Sequence, residues 1–241
     1  MKKVVILASS RNEQSRVIEM AQRLVKENKN EQHEYVCITP SDYHVLPPSG
    51  TREIFTEGEA EEDSCLKDDM NKIKAHILQA DLLIIISPVY SHNVPGDLKN
   101  IIDRVAHWAH VFKLVAKPIF LIATAESNGS EFVLKYLERV FTAMGATVVL
   151  EKSFLLTERE KSEQEFQKIQ KKINTVLEKN YLYCPNAIQE KAFQVMKKVI
   201  ETYPTTHYEY QYWNNNGLFE VTSLEQYYVN IQEKRLNMIQ L

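Results

Sequence analysis

Cysteine and glycine are both scarce in this chain of 241 residues, which contains three of the former and six of the latter. The cysteines, Cys37, Cys65 and Cys184, are odd in number and far apart, so they predict neither a disulfide framework nor a four-thiolate metal site. No unbroken apolar run exceeds five residues, as at positions 82–86, and we expect no membrane-spanning helix. We also expect no secretory signal, because a polar loop directly follows the apolar run that ends at Ala8. These features together predict a cytoplasmic protein.

A strong excess of one charge is also missing, since 29 Lys and Arg residues face 32 Asp and Glu residues, for a net charge of -3. This balance gives no reason to expect a nucleic-acid or membrane partner. With 44% hydrophobic and 25% charged residues, the chain is long enough for one large α/β domain, or for a domain with an extension. Acidic residues concentrate at positions 50–70, eight against two basic ones, and there we expect a long, solvated surface loop.

Strand and helix patterns alternate from residue 4 onward. Short, two-sided apolar runs rich in β-branched residues predict five buried parallel strands, at positions 4–7, 35–38, 82–86, 119–123 and 147–150. Apolar residues at helical spacing predict the helices between them, at positions 17–25, 66–78, 95–109 and 132–144. Right-handed crossovers then give an α/β fold with a doubly wound five-stranded parallel sheet of order 2-1-3-4-5.

Three loops follow the predicted strands one, three and four, at the carboxyl ends where such sheets bind ligands. Residues 9–15 combine hydroxyls, a guanidinium and backbone N–H groups at a helix start, which favours a phosphate, although helix capping explains the serines equally well. That loop has no glycine, so it predicts neither a dinucleotide fingerprint nor a P-loop. Residues 87–96 contain two prolines and Tyr90, on which a flat aromatic ligand could stack, or they simply start a helix. Residues 124–130 are small and polar.

The segments at positions 65–70, 80–90 and 94–104, and the Met-Gly-Ala sequence at 144–146, carry a resemblance to a known family. They are similar, almost residue for residue, to the NADPH-dependent FMN reductase branch of the flavodoxin-like superfamily, which includes multimeric flavodoxins and iron–sulfur flavoproteins. The resemblance covers roughly residues 1–155.

This resemblance implies an FMN site on the three loops. The implied residues are Ser9, Ser10, Arg11 and Ser15 for the phosphate, Pro88, Val89, Tyr90, Ser91, His92 and Asn93 for the ring and ribityl edge, and Thr124, Ala125, Glu126, Asn128 and Gly129 for the other side of the ring. Two positions depart from the family pattern: Ala8 replaces the usual glycine, and Gly129 is the single glycine of the third loop.

The resemblance also implies an FMN-dependent oxidoreductase that takes hydride from NAD(P)H onto flavin N5 and passes it to a quinone, nitro or azo compound, free flavin or modified peptide. Tyr90 and His92 are the candidates for acceptor contacts, and no acid–base residue is assigned. A flavodoxin-like electron carrier or docking module is the alternative, and an empty interaction scaffold is a third possibility. Because relatives commonly complete the acceptor pocket with a second subunit, we expect a homodimer or homotetramer, with Trp108 and Phe112 on an exposed stripe of the third helix near its interface.

Two metal-dependent sites are not expected. Iron–sulfur relatives carry a compact group of cysteines just before the Asp-Asp pair at 68–69, where this chain keeps only Cys65, so we predict no cluster. The pair itself is expected to act electrostatically at the N-terminus of the second helix. His92, His107 and His110 could join a metal site, but no carboxylate is placed to complete it, and solvated or interface histidines are commoner.

Aromatic residues are concentrated at positions 181–241, which hold 11 of the 23 in the chain. We assign residues 1–180 to the FMN-binding domain and residues 181–241 to an extension. The extension is predicted to contain a helix at 187–202 and a tyrosine-rich β-hairpin at 208–222 around an Asn-Gly turn. It could form a lid over the flavin, a dimer contact or a partner surface, or it could pack back on the domain.

Overall fold

The computed structural model describes residues 1–28, 33–178 and 182–239, so the predicted boundary between residues 180 and 181 lies outside the described part. The described residues form a parallel sheet of order β2-β1-β3-β4-β5, which confirms the predicted topology. Its strands are β1 Lys2–Ala8, β2 His33–Ile38, β3 Leu82–Pro88, β4 Pro118–Ala125 and β5 Thr147–Leu155. In the described part, no helix is both long enough and apolar enough to span a bilayer.

Nine α-helices are present in the described residues. They are α1 Arg16–Asn28, α2 Glu53–Thr56, α3 Met70–Gln79, α4 Gly96–Arg104, α5 Ser130–Ala143, α6 Arg159–Glu178, α7 Ala187–Ile200, α8 Tyr208–Asn215 and α9 Leu224–Ile239. Helices α3, α4 and α5 bury their apolar residues against one face of the sheet, and α1 and α6 cover the other. The sequence analysis did not predict α6, whose Phe166, Ile169 and Ile173 lie in the second apolar layer.

The third predicted helix is shorter than expected. Helix α4 ends at Arg104, and a 3₁₀ turn, Ala106–Ala109, replaces its predicted last residues. Phe112 adopts a φ of 48°, which no α-helix accommodates. Trp108 and Phe112 are only 3% and 1% exposed, because the first packs under the sheet and the second against the C-terminal extension. The prediction that these two residues form an exposed aromatic stripe near a subunit interface is therefore wrong.

The predicted β-hairpin is also wrong, since its residues form α8 and the turn that follows it. The alternating tyrosines at 208, 210 and 212, which suggested a strand, lie in α8. In the same helix Trp213 is fully buried and stacks on Phe193, with ring centroids 5.2 Å apart. The Asn-Gly pair ends this helix: Gly217 adopts a φ of 76°, and the N–H of Leu218 donates to the carbonyl of Trp213 at 3.0 Å. That bond is typical of a glycine helix terminus, which shares its sequence signal with hairpin turns.

The acidic segment at 50–70 is mostly exposed, as predicted, but it is not irregular throughout and two of its carboxylates are buried. It contains α2 and a 3₁₀ turn, Glu61–Ser64, and the side chains of Asp63 and Asp68 are buried. Both carboxylates pair with the fully buried Arg104, and Asp63 also pairs with Lys74. Opposite charges from α3 and α4 neutralise the segment where it packs on them. Asp68 Oδ1 also accepts from the N–H of Met70 at 2.7 Å, as expected at the start of a helix.

Candidate functional site

Three loops meet at the carboxyl edge of the sheet because β1, β3 and β4 are neighbours there. The N–H of Ser9 donates to the carbonyl of Ile86 at 2.9 Å, which joins the first loop to the end of β3. The N–H of Val89 donates to the carbonyl of Thr124 at 3.1 Å, which joins the second loop to the third. The sheet thus brings together the three segments selected from the sequence.

The first loop uses its serine hydroxyls to shape the turn into α1. Ser9 Oγ donates to the carbonyl of Ile86 at 3.0 Å, and Ser10 Oγ accepts from the N–H of Asn12 at 3.2 Å. Ser15 Oγ accepts from the N–H of Ile18 at 3.4 Å, in the first turn of the helix, so it acts as a cap. Both Ser9 and Ser10 are buried, so they hold the loop backbone close to the sheet.

Arg11 stands at the rim of this loop and already has an anionic partner. Its Nε and Nη2 donate to the two carboxylate oxygens of Asp97 at 2.8 and 2.7 Å, in a bidentate pair. The hydrogen bond and the charge of Asp97 raise the pKa of the guanidinium. The side chain of Arg11 remains 75% exposed, and Asp97 lies in the first turn of α4. The sequence analysis missed Asp97, 86 residues away along the chain.

The second loop contains a tight turn from Tyr90 to Asn93. The N–H of Tyr90 donates to the carbonyl of Asn93 at 2.8 Å, and the N–H of Asn93 donates to the carbonyl of Tyr90 at 2.9 Å. Between them, Ser91 and His92 have φ values of 49° and 60°. A pair of left-handed residues defines a turn that favours glycine or asparagine, so serine and histidine are strained here. Strain of this kind is commoner at functional sites than elsewhere.

The third loop approaches the second closely at Gly129, whose φ is 86°. A Cβ atom there would lie 3.0 Å from Val89 Cγ1 and 3.3 Å from His92 Nδ1, so only glycine permits this contact without displacement. The ring of His92 also stands edge-on to that of Phe132, with centroids 5.1 Å apart. Tyr90 and Phe132 are 54% and 52% exposed and His92 is exposed too, so this edge presents three rings to solvent.

The remaining predicted residues divide between the sheet and the surface. Thr124 and Ala125 are buried at the end of β4, whereas Glu126 and Asn128 are exposed in the loop. Arg16 Nη2 donates to the carbonyl of Ala125 at 2.6 Å, which fixes the end of β4 against the start of α1. The sequence analysis missed both Arg16 and Phe132, because each lies in a helix rather than in the predicted loops.

His107 and His110 lie elsewhere, in the region where the extension packs on the domain. Burial lowers the pKa of His107 to about 3, with a smaller contribution from Lys74. His110 Nδ1 lies 2.7 Å from Glu209 Oε1 of α8. Across residues 1–28, 33–178 and 182–239, no group of three or more His, Cys, Asp or Glu side chains could hold a metal ion.

The C-terminal extension packs at the opposite edge of the sheet from the three loops. Its apolar residues bury the segment 111–116, which directly precedes β4. Tyr228 Oη donates to the carbonyl of Gly145 at 2.5 Å, and Gln189 Nε2 donates to that of Ala146 at 3.2 Å, just before β5. The possibility that the aromatic residues pack back on the domain is confirmed. The described part of the extension lies at the amino ends of these strands, so it does not cover the three loops of its own chain.

Comparison of the sequence and the fold with those of known proteins identifies the family of this chain. The chain is 30% identical over 150 residues, or 62% of its length, to an iron-sulfur flavoprotein of Archaeoglobus fulgidus, of which the match covers 66%. It is 28% identical over 121 residues, or 45% of its length, to an FMN-dependent NADH:quinone oxidoreductase of Stenotrophomonas maltophilia, of which 62% is covered. The chain thus spans less than two thirds of these relatives. The solved structure of an FMN-dependent NADH-azoreductase from Bacillus anthracis in complex with FMN shares the fold, with a TM-score of 0.54, 15% identity and coverage of 73% of this chain and 99% of that one. The family model for NADPH-dependent FMN reductase matches residues 1–161, which is more than half of the chain, and the protein belongs to that family.

Proposed function

We propose that this protein is an FMN-dependent oxidoreductase that uses NAD(P)H to reduce a second acceptor. The observation that carries the proposal is the meeting of a cationic, hydroxyl-lined loop with three exposed rings at one edge of the sheet. This edge is where doubly wound folds bind their ligands. The name of the Stenotrophomonas relative supports a quinone as the acceptor. Nitro and azo compounds, free flavin and modified peptides remain the other acceptor classes to be tested.

The residues present fit a ligand that joins a phosphate to a flat ring. Arg11 and the N-terminal turn of α1 offer a cation and backbone N–H groups to the phosphate. Gly129 lets the third loop pack closely against Val89 and His92 of the second loop, and Tyr90 and His92 offer exposed aromatic surface to a flat ring. The other predicted residues of the three loops belong to the same proposed site: Ser9, Ser10, Ser15, Pro88, Val89, Ser91, Asn93, Thr124, Ala125, Glu126 and Asn128.

When bound, FMN would supply the redox chemistry, the transfer of two electrons from NAD(P)H to the acceptor. The work of the protein is to bind and orient. Tyr90, His92 and Phe132 provide a surface against which a planar acceptor can stack. The imidazole of His92 stands at the same exposed edge, where its ring N–H can donate a hydrogen bond to an acceptor oxygen or nitrogen.

A rapid-mixing experiment tests the proposal. The FMN-loaded protein is mixed with NADPH, and separately with NADH, while the flavin absorption band is followed. Fast bleaching, followed by recovery when a quinone is added, is the expected result. A failure of the purified protein to bind FMN would refute the proposal, and the interaction scaffold would then be the remaining hypothesis.

An electron carrier is the second candidate, and one observation favours it. As far as residues 182–239 show, the extension leaves the carboxyl edge of its own chain uncovered, as a carrier that must expose its flavin to a partner requires. FMN binding without bleaching by either nicotinamide would support this carrier over the reductase.

Two further properties are proposed from the family resemblance. We expect a homodimer or homotetramer, although the aromatic stripe that suggested its interface is buried, and sedimentation as a monomer would refute this expectation. We also expect purified protein to lack iron and acid-labile sulfide, because Cys65 is the single cysteine near the position where iron–sulfur relatives bind their cluster. Stoichiometric iron in an elemental analysis would contradict it.

A further inference from the structure

A cavity of about 260 Å³ opens at the amino edge of the sheet, between the α/β domain and the C-terminal extension. Its lining comes from the ends of α3 and α6, the starts of β1 and β4, and the extension on the other side. The cavity lies at the opposite edge of the sheet from the candidate flavin site. It therefore offers a second site that the proposed function does not use.

Lys117 forms the inner wall of this cavity and is only 4% exposed. Its Nζ donates to the carbonyl of Leu78 at 3.1 Å and to that of Ala80, so the side chain closes the end of α3. Burial, together with the positive charge of Arg235, lowers the pKa of Lys117 to about 7. The ammonium is thus costly to keep charged at neutral pH without a counter-ion.

The charges around the cavity do not balance. Among the described lining residues, Lys2, Lys117 and Arg235 are basic and Asp81 is acidic, which leaves a formal charge of +2 when Lys117 is protonated. Asp81 is already engaged, because its carboxylate accepts from Lys2 Nζ at 3.1 Å and from the N–H of Lys3 at 2.8 Å. Among the described lining residues, no acidic side chain other than Asp81 faces Lys117 or the exposed Arg235, so an anion that enters the cavity would meet a net positive charge.

Arg235 holds its guanidinium at the mouth of the cavity. Its Nη1 and Nη2 donate to the carbonyls of Ala116 and Val115 at 3.2 and 3.1 Å. A guanidinium has five N–H donors, so these two bonds leave donors that an anion can use. The wall also has an apolar part, formed by Leu78, Val176 and Leu177 among others.

We propose that this cavity binds a small organic anion, whose carboxylate contacts Lys117 and Arg235 and whose short apolar body packs against Leu78 and Leu177. The volume is below that of a site for a drug-sized molecule, which favours a compact ligand. A simple inorganic ion would leave the apolar wall without a partner.

Binding should be linked to proton uptake, because an anion favours the protonated form of Lys117. Affinity is expected to fall as the pH rises above about 7, where Lys117 loses its proton. The other titratable or charged groups that line the described cavity are Lys2 and Asp81 from the domain and Tyr183 and Arg235 from the extension.

Benzoate and its uncharged isostere benzamide are suitable probes, with FMN in excess to fill the flavin site. Isothermal titration of the full chain should give a benzoate dissociation constant on the order of 1 mM or tighter, and at least roughly tenfold weaker binding of benzamide. In two buffers of different ionisation enthalpy, the benzoate heats should differ, as proton uptake requires. Equal affinity for the two probes, or binding of neither, overturns the proposal.

Variants locate the site. Arg235→Gln and Lys117→Met should each weaken benzoate binding about tenfold or more, whereas Lys113→Met should leave it unchanged. Lys113 is the matched control because burial also lowers its pKa, yet it does not line the cavity. Because Lys117 closes the end of α3, circular dichroism first checks that Lys117→Met is folded, and Arg235→Gln decides alone where it is not. Unchanged benzoate affinity in Arg235→Gln would refute the assignment.

Discussion

The ion pair between Arg11 and Asp97 predicts that a carboxylate of the protein competes with the phosphate of FMN. Arg11 donates both of its bonds to Asp97 at 2.7 and 2.8 Å, so a phosphate that engages the same guanidinium must displace or share that partner. Removing the carboxylate with Asp97→Asn should free Arg11 and also remove a negative charge beside the incoming dianion. FMN binding should therefore become tighter, and not weaker, in this variant.

The expected magnitude follows from the exposure of the pair. Because the side chain of Arg11 is 75% exposed, its pair with Asp97 should change an equilibrium by only about twofold to fivefold, as for other surface ion pairs. Asp97→Asn should tighten FMN binding by that factor. Arg11→Ala should remove a charge-assisted contact with the phosphate. Because the wild type must give up the Arg11–Asp97 pair to make that contact, the net weakening of FMN binding should be on the order of tenfold.

Fluorescence titration with FMN and with riboflavin tests this reasoning. Riboflavin lacks the phosphate, so its affinity should be the same in wild type and in both variants. Asp103→Asn is the matched control, since Asp103 lies on the same helix and pairs with Lys99 at 2.5 Å. Weaker FMN binding in Asp97→Asn would show that Asp97 orients Arg11 and does not compete for it. Unchanged FMN binding in Arg11→Ala would remove Arg11 from the site.

The remaining predictions concern stability. His92→Gly should raise the free energy of unfolding, measured in urea, by about 0.5–1 kcal/mol, because glycine adopts a φ of 60° without strain. The control Asn93→Gly should lower that free energy. A lower free energy of unfolding in both variants would show that His92 is not strained. Burial alone would raise the pKa of Asp63, but Lys74 and two further donors hold it below its ordinary value, so stability present above about pH 4 should be lost as the pH falls through the lowered pKa. Lys74→Met should flatten this acid dependence, and an unchanged pH profile would contradict the pairing. Trp213→Ala should cost about 3–5 kcal/mol, and a loss below about 1 kcal/mol would mean that the extension packs loosely.

The sequence by itself determined the sheet and the positions of the three loops. A run such as residues 82–86 is apolar on both sides and too short for a buried helix, so it fits only a strand covered on both faces. Five such runs separated by helical stretches leave few topologies, and the ligand-binding loops then follow from the strand order. The local sequence pattern was enough to predict these strands, because each strand is covered on both faces irrespective of which residues pack against it.

Local pattern failed where two structures share one signal. The tyrosines at 208, 210 and 212 alternate as in a strand, and Asn216-Gly217 suits either a hairpin turn or a helix terminus. Burial of Trp213 against Phe193 favoured the helix, and that contact joins residues from two separate helices. The burial of Asp63 and Asp68 was missed for the same reason, because the buried cation that pairs with them, Arg104, lies more than 30 residues further along the chain.

Only the tertiary structure decided which partners the site residues have. Arg11 meets Asp97, and His92 meets Gly129 and Phe132, because the loops that follow separate strands converge at one edge of the sheet. The opposite edge, with its buried lysine and its cover of aromatic residues, is likewise a product of packing between distant segments. Such contacts depend on the full three-dimensional arrangement, which short-range propensity and spacing do not encode.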